Sequence, residues 1–411
     1  MSKTVLFEKK ADCCGCGACQ NICPKGAIEM KYDAFGIAYP VIDPALCVEC
    51  GLCKKVCSYQ NQRQRCDAPQ LAYAAAAADG GMAKNSASGG VFAALARHIL
   101  KAGGVVYGCA FSDDDGILIP KHIRVDNESD LHRLQGSKYV QSITGMVYRQ
   151  VKQDLKEGKN VLFSGTPCQV DALNGFLSPT KSENLLTVDI ICHGTPGTRF
   201  FVDYIKEVEE KHNGRVLDFR FRDKTGGWGL KAAVLIQKAN RGVQKKLLPV
   251  QLSSYYQLFL DSETYRGNCY SCPYANQYRV GDITLGDFWG IEKEHPDFLK
   301  ENGGCLDKQL GISCLLVNTE KGRQWVEQMN GQLVMAPSTL ASVVRENRQL
   351  NVPSSHNALR DAVMELYKKG GYPAVDRWYY KRIGIKKYVY CVWNCIPKKY
   401  QVVLKKMIKQ R

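Results

Sequence analysis

The sequence lacks a hydrophobic run long enough to cross a membrane. Its longest uncharged apolar stretch, "LAYAAAAA" at 71–78, is far shorter than the ~20 residues of a membrane-spanning helix. The first residues, "MSKTVLFEKKADCC", also lack the apolar segment of a secretory leader. Nineteen cysteines in such a chain indicate a reducing compartment, where thiols bind metal instead of forming disulfides. We therefore expect a cytoplasmic protein.

Acidic residues are scarce as well. Lys and Arg number 56 against 40 Asp and Glu, which gives a formal net charge of +16. The basic residues are spread along the chain without a nucleic-acid-binding motif, so nucleic acid is not the expected partner. A positive field favours acidic electron carriers, such as ferredoxin, or a nucleotide cofactor.

Cysteine, by contrast, is abundant near the amino terminus. The segments "CCGCGACQNIC" (13–23) and "CVECGLCKKVC" (47–57) both contain the C-x2-C-x2-C-x3-C spacing of bacterial ferredoxins. Cys14 falls outside this register. In a two-cluster module the fourth cysteine of each run binds the other cluster. The spacing therefore predicts two [4Fe-4S] clusters, one on Cys13, Cys16, Cys19 and Cys57 and the other on Cys23, Cys47, Cys50 and Cys53.

Zinc and disulfides are the alternatives for these eight cysteines. Zinc sites pair two short cysteine steps across a gap and do not need four cysteines so close together. Disulfide frameworks are typical of secreted chains. The duplicated pattern favours iron–sulfur clusters, although Ser58 stands where a proline usually follows the last ligand.

After a polar linker at 58–70, where Cys66 is an expected free thiol, strand-like and helix-like segments alternate. This alternation predicts an α/β body with a partly parallel sheet, following the small ferredoxin module. A helix is expected at about 88–102, and the region from about 335 reads as helical. Strands are expected at 71–78, 160–164 and 185–191, with an antiparallel addition at 215–222 and 230–237.

Two strand-to-helix crossovers share one pattern. In "VLFSGTPCQV" (161–170), Gly165 makes the turn, Thr166 caps the helix, and Cys168 lies in the first helical turn. In "DIICHGTPG" (189–197), Thr195 and Pro196 are expected to start a helix just after Cys192 and His193. Such loops lie at the carboxyl ends of parallel strands, where α/β sheets bind ligands. A helix start also favours the thiolate form of cysteine. Ordinary turns with incidental cysteines are the alternative.

A C-x2-C pair, Cys269 and Cys272, lies farther along in "YRGNCYSCPYANQYRVGDITLGDFWG" (265–290). Alone, the pair fits a zinc half-site, a redox dithiol or chance. Together with Cys168 and Cys192 it supplies four thiols, enough for a third [4Fe-4S] cluster. Cys305, Cys391 and Cys395 have no usable partner spacing. Cys109 and Cys314 lie in apolar strands, where we expect them to act as small hydrophobic residues.

From about 71 to 330 the sequence resembles the β subunit of coenzyme F420-reducing hydrogenase and F420-linked dehydrogenases. The resemblance depends on "NSASGGVF" (85–92), "GSKYVQS" (136–142), "FRFRDKTGGWG" (219–229), "YRVGDITLGDFWG" (278–290) and the two crossover motifs. It implies non-covalent FAD near an iron–sulfur cluster, with electrons passing between that flavin and the added ferredoxin module. The implied domains are the module at 1–62, the two parts of the family fold at 71–155 and 156–334, and a helical region with a basic tail at 335–411.

The segment "SASGG" supports a flavin site independently, because small residues at a helix start let backbone amides approach a diphosphate. An ordinary capped helix start is the alternative. Lys138 can supply a cation to the phosphates or the ring. His193 is a candidate proton donor, or simply a histidine hydrogen-bonded within its turn. The expected cofactor-binding residues are Ser86, Ser88, Gly89, Gly90, Lys138, Ser142, Gly165 and Thr166.

Three functions follow. The first is an iron–sulfur flavoprotein oxidoreductase that couples one-electron carriers to hydride exchange with the deazaflavin F420 or another organic substrate. The second is a ferredoxin-driven reductase of a carbonyl or unsaturated bond that does not use F420, with a link to polysaccharide biosynthesis. The third is an electron-relay subunit without its own substrate, which docks to a catalytic partner.

The carboxyl-terminal segment 379–411 holds ten Lys or Arg residues and no acidic residue, interleaved with Tyr, Trp, Val and Ile. The favoured interpretation is a solvated helical tail that packs its aromatic residues on the body. Weak, reversible contact with an anionic membrane is the second possibility. Docking of an acidic ferredoxin is the third.

Overall fold

The computed structural model of the chain describes residues 5–61, 69, 71–179 and 182–396. These residues form a cysteine-rich module, an eight-stranded mixed sheet, a separate three-stranded antiparallel sheet and a helical carboxyl-terminal arm. The expectations for Cys66 and for the tail beyond 396 lie outside the described residues.

The module consists of short helices around one hairpin. Its elements are α1 (Ala18–Ile22), β1 (Ile28–Tyr32), β2 (Ala38–Ile42), α2 (Leu52–Lys55) and α3 (Ser58–Asn61). Gly17 and Gly51 precede α1 and α2 with left-handed φ angles of 77° and 72°, a conformation that glycine adopts without strain. The internal repeat of the sequence is therefore also a repeat of backbone structure.

The large sheet provides the frame of the body. The remaining strands are β3 (Leu71–Ala77), β4 (Val105–Asp114), β5 (Ile117–Val125), β6 (Val161–Gly165), β7 (Leu185–Ile190), β8 (Arg215–Arg220), β9 (Ala232–Lys238), β10 (Gly242–Leu248), β11 (Ile283–Asp287), β12 (Ser313–Val317) and β13 (Leu333–Ser338). The large sheet has the order β13-β3-β12-β11-β7-β6-β4-β5, and β8, β9 and β10 form the small one. Strands β4, β6, β7 and β11 run parallel, whereas their outer neighbours pair antiparallel. The predicted α/β body with a partly parallel sheet is confirmed.

The helices of the body are α4 (Gly80–Asn85), α5 (Val91–Lys101), α6 (Val147–Lys156), α7 (Pro167–Leu177), α8 (Thr198–His212), α9 (Ser254–Leu260), α10 (Ile291–Glu294), α11 (Glu320–Glu327), α12 (Leu340–Glu346), α13 (Ala358–Ile383) and α14 (Lys386–Cys395). Helices α8, α9 and α13 share a hydrophobic core with the small sheet. The buried sides of α5 and α11 share one hydrophobic core with the large sheet. Helices α6 and α7 form another, which also takes in Ala18 and Val56 of the module. The module therefore packs on the α6–α7 side of the body.

The two crossovers differ, contrary to expectation. The first follows the prediction, since Thr166 caps α7 and Pro167 is its first residue. In the second, α8 begins only at Thr198, after Gly197. Pro196 pairs with Tyr265 in an isolated β-bridge, and its carbonyl accepts a hydrogen bond from the backbone N–H of Gln141. These long-range contacts keep Thr195 and Pro196 extended, so their predicted helix-starting roles are wrong.

Other boundaries shift in smaller ways. The helix expected at 88–102 starts at Val91, because Gly90 takes a left-handed φ of 88° immediately before it. The region from 335 begins with β13 before it becomes helical. Among the described residues no helix is both long enough and apolar enough to cross a membrane.

Candidate functional site

The eight ferredoxin-type cysteines gather into the two predicted sets. Cys13, Cys16, Cys19 and Cys57, here called the inner set, lie close enough for their charges to influence one another. Burial raises the pKa of Cys13 to about 12, and the neighbouring thiolates of Cys16 and Cys57 add to this effect. Four thiols held together in this way match the donor set of one [4Fe-4S] cluster.

The other four, here called the surface set, line one small cavity at the outer end of the module: Cys23, Cys47, Cys50 and Cys53. Cys50 is exposed, and Val48 and Leu52 lie on the same cavity wall with large exposed fractions of 57% and 38%. A cluster bound here would lie at the protein surface, within reach of an external electron carrier.

The four cysteines outside the module also come together. Cys168, Cys192, Cys269 and Cys272, here called the cavity set, line one large cavity and influence one another electrostatically. Burial raises the pKa of Cys269 to about 11 and that of Cys272 to about 12. They come from three separate segments, so only the fold brings them together.

Cys14 lies between the inner set and the cavity set. The residue is 5% exposed, and its thiol lies close enough to those of Cys16 and Cys168 to interact with both. This contact is the main reason that the pKa of Cys168 falls to about 7. The sequence predicted a low pKa for Cys168 from its position at the start of α7, so the direction agrees but the principal cause differs.

The two ferredoxin-type sets match the donor pattern of [4Fe-4S] clusters, and a cluster on the cavity set stays a prediction. In the part of the chain that the structure describes, no group of three or more His, Cys, Asp or Glu side chains closes around one metal ion. Thiolates around a [4Fe-4S] cube bind four separate irons and are therefore spaced more widely than the ligands of a single zinc.

The cavity set lies in the wall of the central cavity. This cavity has a volume of about 420 Å³, which is typical of cofactor and substrate sites. The cavity lies at the carboxyl ends of the parallel strands, between Gly165 at the end of β6, Ile190 at the end of β7 and Asp287 at the end of β11. Its lining includes these predicted site residues: Ser86, Ser88, Gly90, Lys138, Ser142, Gly165, Thr166 and His193.

Gly89 does not line this cavity. Close packing inside the body explains why a glycine stands at this position. A Cβ atom there would lie 2.5 Å from the carbonyl oxygen of Ala75 and 3.0 Å from the backbone nitrogen of Ser313. The N–H of Gly89 also donates to Ser313 Oγ over 3.0 Å. Gly89 therefore lets the loop before α5 approach strands β3 and β12.

Ser142 belongs to a buried polar network that the sequence did not reveal. Its hydroxyl is 2.9 Å from Nδ1 of His122 and accepts a hydrogen bond from Gln169 Nε2 over 3.0 Å. Nε2 of His122 lies 3.1 Å from the carbonyl oxygen of Ser164. Burial lowers the pKa of His122 to about 4, so the ring is neutral near pH 7. His122 also lines the central cavity.

Lys138 is held at the cavity wall by two backbone carbonyls. Its Nζ donates to the carbonyl oxygen of Gln135 over 2.8 Å and to that of Arg133 over 3.1 Å, while burial lowers its pKa.

Cys109, expected to be a buried hydrophobic residue, is only half-buried and lines the same cavity. Cys314 is fully buried in β12, as expected. Cys305 and Cys391 are exposed and lie outside the three sets.

His193 faces the central cavity, and burial lowers its pKa. The negative charge of Asp287 acts on it in the opposite direction. Asp287 forms an ion pair of 2.6 Å with Arg222, whose side chain is only 2% exposed. Both residues belong to motifs quoted above, but nothing in the sequence indicated that they would pair.

The Arg222–Asp287 pair is incompletely satisfied. Arg222 Nη2 and Asp287 Oδ1 are buried and have no hydrogen-bond partner within the described residues. The guanidinium carbon lies 5.1 Å from the ring centre of Trp228 and 5.5 Å from that of Trp289. Arg222, Asp287 and Trp289 line the central cavity.

Three family models match the chain. Two describe the beta subunit of coenzyme F420 hydrogenase/dehydrogenase, its amino-terminal part at residues 72–147 and its carboxyl-terminal part at 158–340, and the third is a 4Fe-4S dicluster domain at 12–61. No curated protein matches significantly. A solved structure of the F420-reducing [NiFe] hydrogenase complex from Methanosarcina barkeri, obtained by xenon derivatization, shares 16% identity with a TM-score of 0.41 over 74% of this chain and 94% of that chain. The chain belongs to the coenzyme F420 hydrogenase/dehydrogenase β-subunit family and carries a 4Fe-4S dicluster domain at its amino terminus.

Proposed function

We propose that the protein is a cytoplasmic iron–sulfur flavoprotein oxidoreductase. It passes electrons between an external one-electron carrier and a flavin in the central cavity, where hydride is exchanged with coenzyme F420 or another organic substrate. The supporting observation is the order of the three thiol sets. The surface set is accessible to solvent, the inner set follows it within the module, and Cys14 joins the inner set to the cavity set.

This order makes a directed path, because electron transfer between clusters needs close approach and a dry route. Hydrogen bonds join the module to the body where the path crosses between them. Thr144 Oγ1 and Tyr148 Oη both donate to the carbonyl oxygen of Cys16 over 2.9 Å, and Ser58 Oγ donates to that of Asp171 over 2.8 Å. Ser58, which replaces the usual proline, is thus part of the docking contact.

The residues around the central cavity suit a flavin dinucleotide by the chemistry of their donors. The start of the eleven-residue helix α5 and the ammonium of Lys138 suit an anionic diphosphate. Arg222 and Asp287, which both line the cavity, would offer a donor and an acceptor to the polar groups of a flavin or deazaflavin ring. A bound flavin would supply both hydride exchange with organic molecules and single-electron exchange with clusters.

His193 is proposed to hold or move a proton at the reacting end of the cavity. Its imidazole is exposed to the cavity, and desolvation lowers its pKa and so favours the neutral form. A neutral imidazole can accept a proton from a substrate through one nitrogen or donate one through the other. The cavity is large enough to admit a small molecule. This favours an enzyme over a relay subunit that has no substrate of its own.

The test uses protein purified anaerobically. We expect a flavin that denaturation releases as FAD, and reduction of F420 when reduced ferredoxin is the electron source. Flavin without F420 turnover, but with reduction of a carbonyl or unsaturated compound, would support the F420-independent reductase. Absence of flavin from the freshly purified protein would contradict the proposal.

Two matched variants add a control. Arg222→Lys keeps the charge but removes the fork of N–H donors, so we expect a higher KM or a lower flavin content with iron unchanged. Arg220→Lys, on the exposed side of β8, should change neither.

A further inference from the structure

Helix α14 carries an apolar stripe on its outer side. Ile385, Tyr388, Val389 and Val392 are 82%, 70%, 59% and 64% exposed, and they are the four most exposed large hydrophobic side chains of the described residues. Their spacing of i, i+3, i+4 and i+7 places them on one face of a helix. Single exposed hydrophobic residues are common on protein surfaces, but four contiguous ones mark an interaction site.

The expectation that the tail packs its aromatic residues on the body is wrong for Tyr388 of this stripe. The packing holds for Tyr379 in α13, which is 3% exposed and whose hydroxyl donates to the carbonyl oxygen of Gln251 over 2.9 Å. It ends where α13 ends: Gly384 separates the two helices with a φ of 50°. Tyr390 and Trp393 of α14 are half-buried, whereas Tyr388 points outward.

Positive charge surrounds the stripe. Lys381, Lys386 and Lys387 are exposed beside it. The sequence beyond 396 adds six more Lys or Arg residues, and the whole segment 379–411 contains no Asp or Glu. In this later stretch, "VVL" and "MI" alternate with the basic residues. Apolar side chains on one face with lysines at the flanks are the pattern of helices that lie in the headgroup region of a membrane.

We propose that α14 binds the surface of an anionic lipid bilayer. The four apolar side chains enter the headgroup boundary, and the lysines contact lipid phosphates. An acidic protein surface would satisfy the lysines but offers no apolar contact to this stripe, whereas an anionic bilayer accounts for both features. The attachment is peripheral, because α14 has only ten residues and a spanning helix needs ~20.

Co-sedimentation of the full-length protein with vesicles tests this proposal. Vesicles of equal parts phosphatidylglycerol and phosphatidylcholine should pellet the protein at low salt, and vesicles of phosphatidylcholine alone should pellet much less. Binding should fall steeply as salt is raised, because screening weakens the lysine–phosphate contacts. Replacing Lys387 by Gln should weaken binding about fivefold, the equivalent of about 1 kcal/mol for one basic residue near an anionic surface.

The stripe has a matched control elsewhere on the protein. Val389→Glu should abolish most of the binding, whereas Val243→Glu, at a valine in β10 of similar exposure (55% against 59%), should leave it unchanged. Both positions are on the surface, and unchanged cluster absorbance would show that both variants are folded.

Three results would overturn the proposal. The first is failure of the wild-type protein to pellet with anionic vesicles at low salt. The second is equal pelleting of Val389→Glu and wild type, which would assign any binding to the lysines alone. The third is a self-association that Val389→Glu removes while vesicle binding is absent, which would make the stripe a contact between two copies of the chain.

Discussion

Arg266 and Cys13 are joined by a hydrogen bond of 3.1 Å from the guanidinium Nη2 to the backbone carbonyl oxygen. Arg266 is 1% exposed. Its other acceptors are the carbonyl oxygen of Ala38 and the amide oxygens of Gln141 and Asn268, so none of the hydrogen-bond acceptors found for it within the described residues is a carboxylate. A buried cation needs a counter-charge, and anionic clusters on the neighbouring thiol sets would provide it.

The first prediction concerns this cation. Burial raises the pKa of Cys13, and the positive charge of Arg266 is the strongest effect that lowers it. The same charge also lowers the pKa of Cys168 and of Cys269. Replacing Arg266 by Gln should therefore lower the reduction potentials of the inner-set and cavity-set clusters. The expected shift is on the order of 100 mV, as for a unit charge at short range in a medium of effective dielectric ~20. Redox titration followed by electron paramagnetic resonance measures it.

The same molecule contains the control, because the surface set lines a separate cavity that excludes Arg266. The potential of its cluster should not change. Arg266→Lys keeps the charge and should give potentials near those of wild type. Equal shifts of all three clusters, or none, would show that Arg266 is only a structural link between module and body.

The second prediction is the iron count. Twelve cysteine ligands in three sets predict about twelve irons per chain as three [4Fe-4S] clusters. Cys272→Ser should remove about four irons and leave the ferredoxin-type pair intact, because the cavity set is built on separate segments of the body. Cys305→Ser, at an exposed cysteine outside the sets, is the matched control. About eight irons in the wild-type protein would refute the third cluster.

Local patterns in the sequence predicted the thiol sets of the module, because ferredoxin ligand spacing is contained within eleven residues. The carboxyl-edge position of the cavity was also predictable, since it follows from parallel strands. The pairing of Arg222 with Asp287 was not, because the two residues are 65 positions apart and an arginine looks the same in sequence whether it is paired or solvated. Thr195 and Pro196 show a second limit, since tertiary contacts overrode a good local helix-start signal.

The third prediction concerns pH. Burial lowers the pKa of His122 to about 4 from an ordinary value of 6.5, so between these two values the unfolded chain takes up a proton that the folded protein excludes. Stability contributed by the neutral ring is present above pH 6.5 and is lost as the pH falls toward 4. Between pH 7 and pH 5 the loss should be about 1–2 kcal/mol. Thermal unfolding under anaerobic conditions at the two pH values measures it.

His122→Gln keeps an N–H donor for the carbonyl oxygen of Ser164 but cannot take up the proton, so its loss of stability over this range should be smaller. His132→Gln, at an exposed histidine, should behave as wild type. If His122→Gln and wild type lose stability equally between pH 7 and pH 5, the buried imidazole is not the group responsible.

The last prediction concerns the buried ion pair that holds β7 to β11 beneath the central cavity. Asp189 is fully buried, and its Oδ1 accepts hydrogen bonds from Arg279 Nη2 over 3.0 Å and from Thr284 Oγ1 over 2.6 Å. Its Oδ2 accepts from the backbone N–H groups of Val280 and Gly281 over 3.2 and 3.1 Å. The carboxylate thus fixes the segment between Cys272 and β11.

Replacing Asp189 by Asn removes the charge and leaves the Arg279 guanidinium buried without its partner, which typically costs about 3–5 kcal/mol. We expect a clear fall in the thermal unfolding temperature and, because the Cys272 segment loosens, loss of iron from the cavity set before the other two. Glu320→Gln, which breaks an exposed ion pair with Arg323, should have little effect on stability. A variant Asp189→Asn as stable as Glu320→Gln would show that Arg279 finds other acceptors, such as the carbonyl oxygens of Tyr274 and Ile190 that it already contacts.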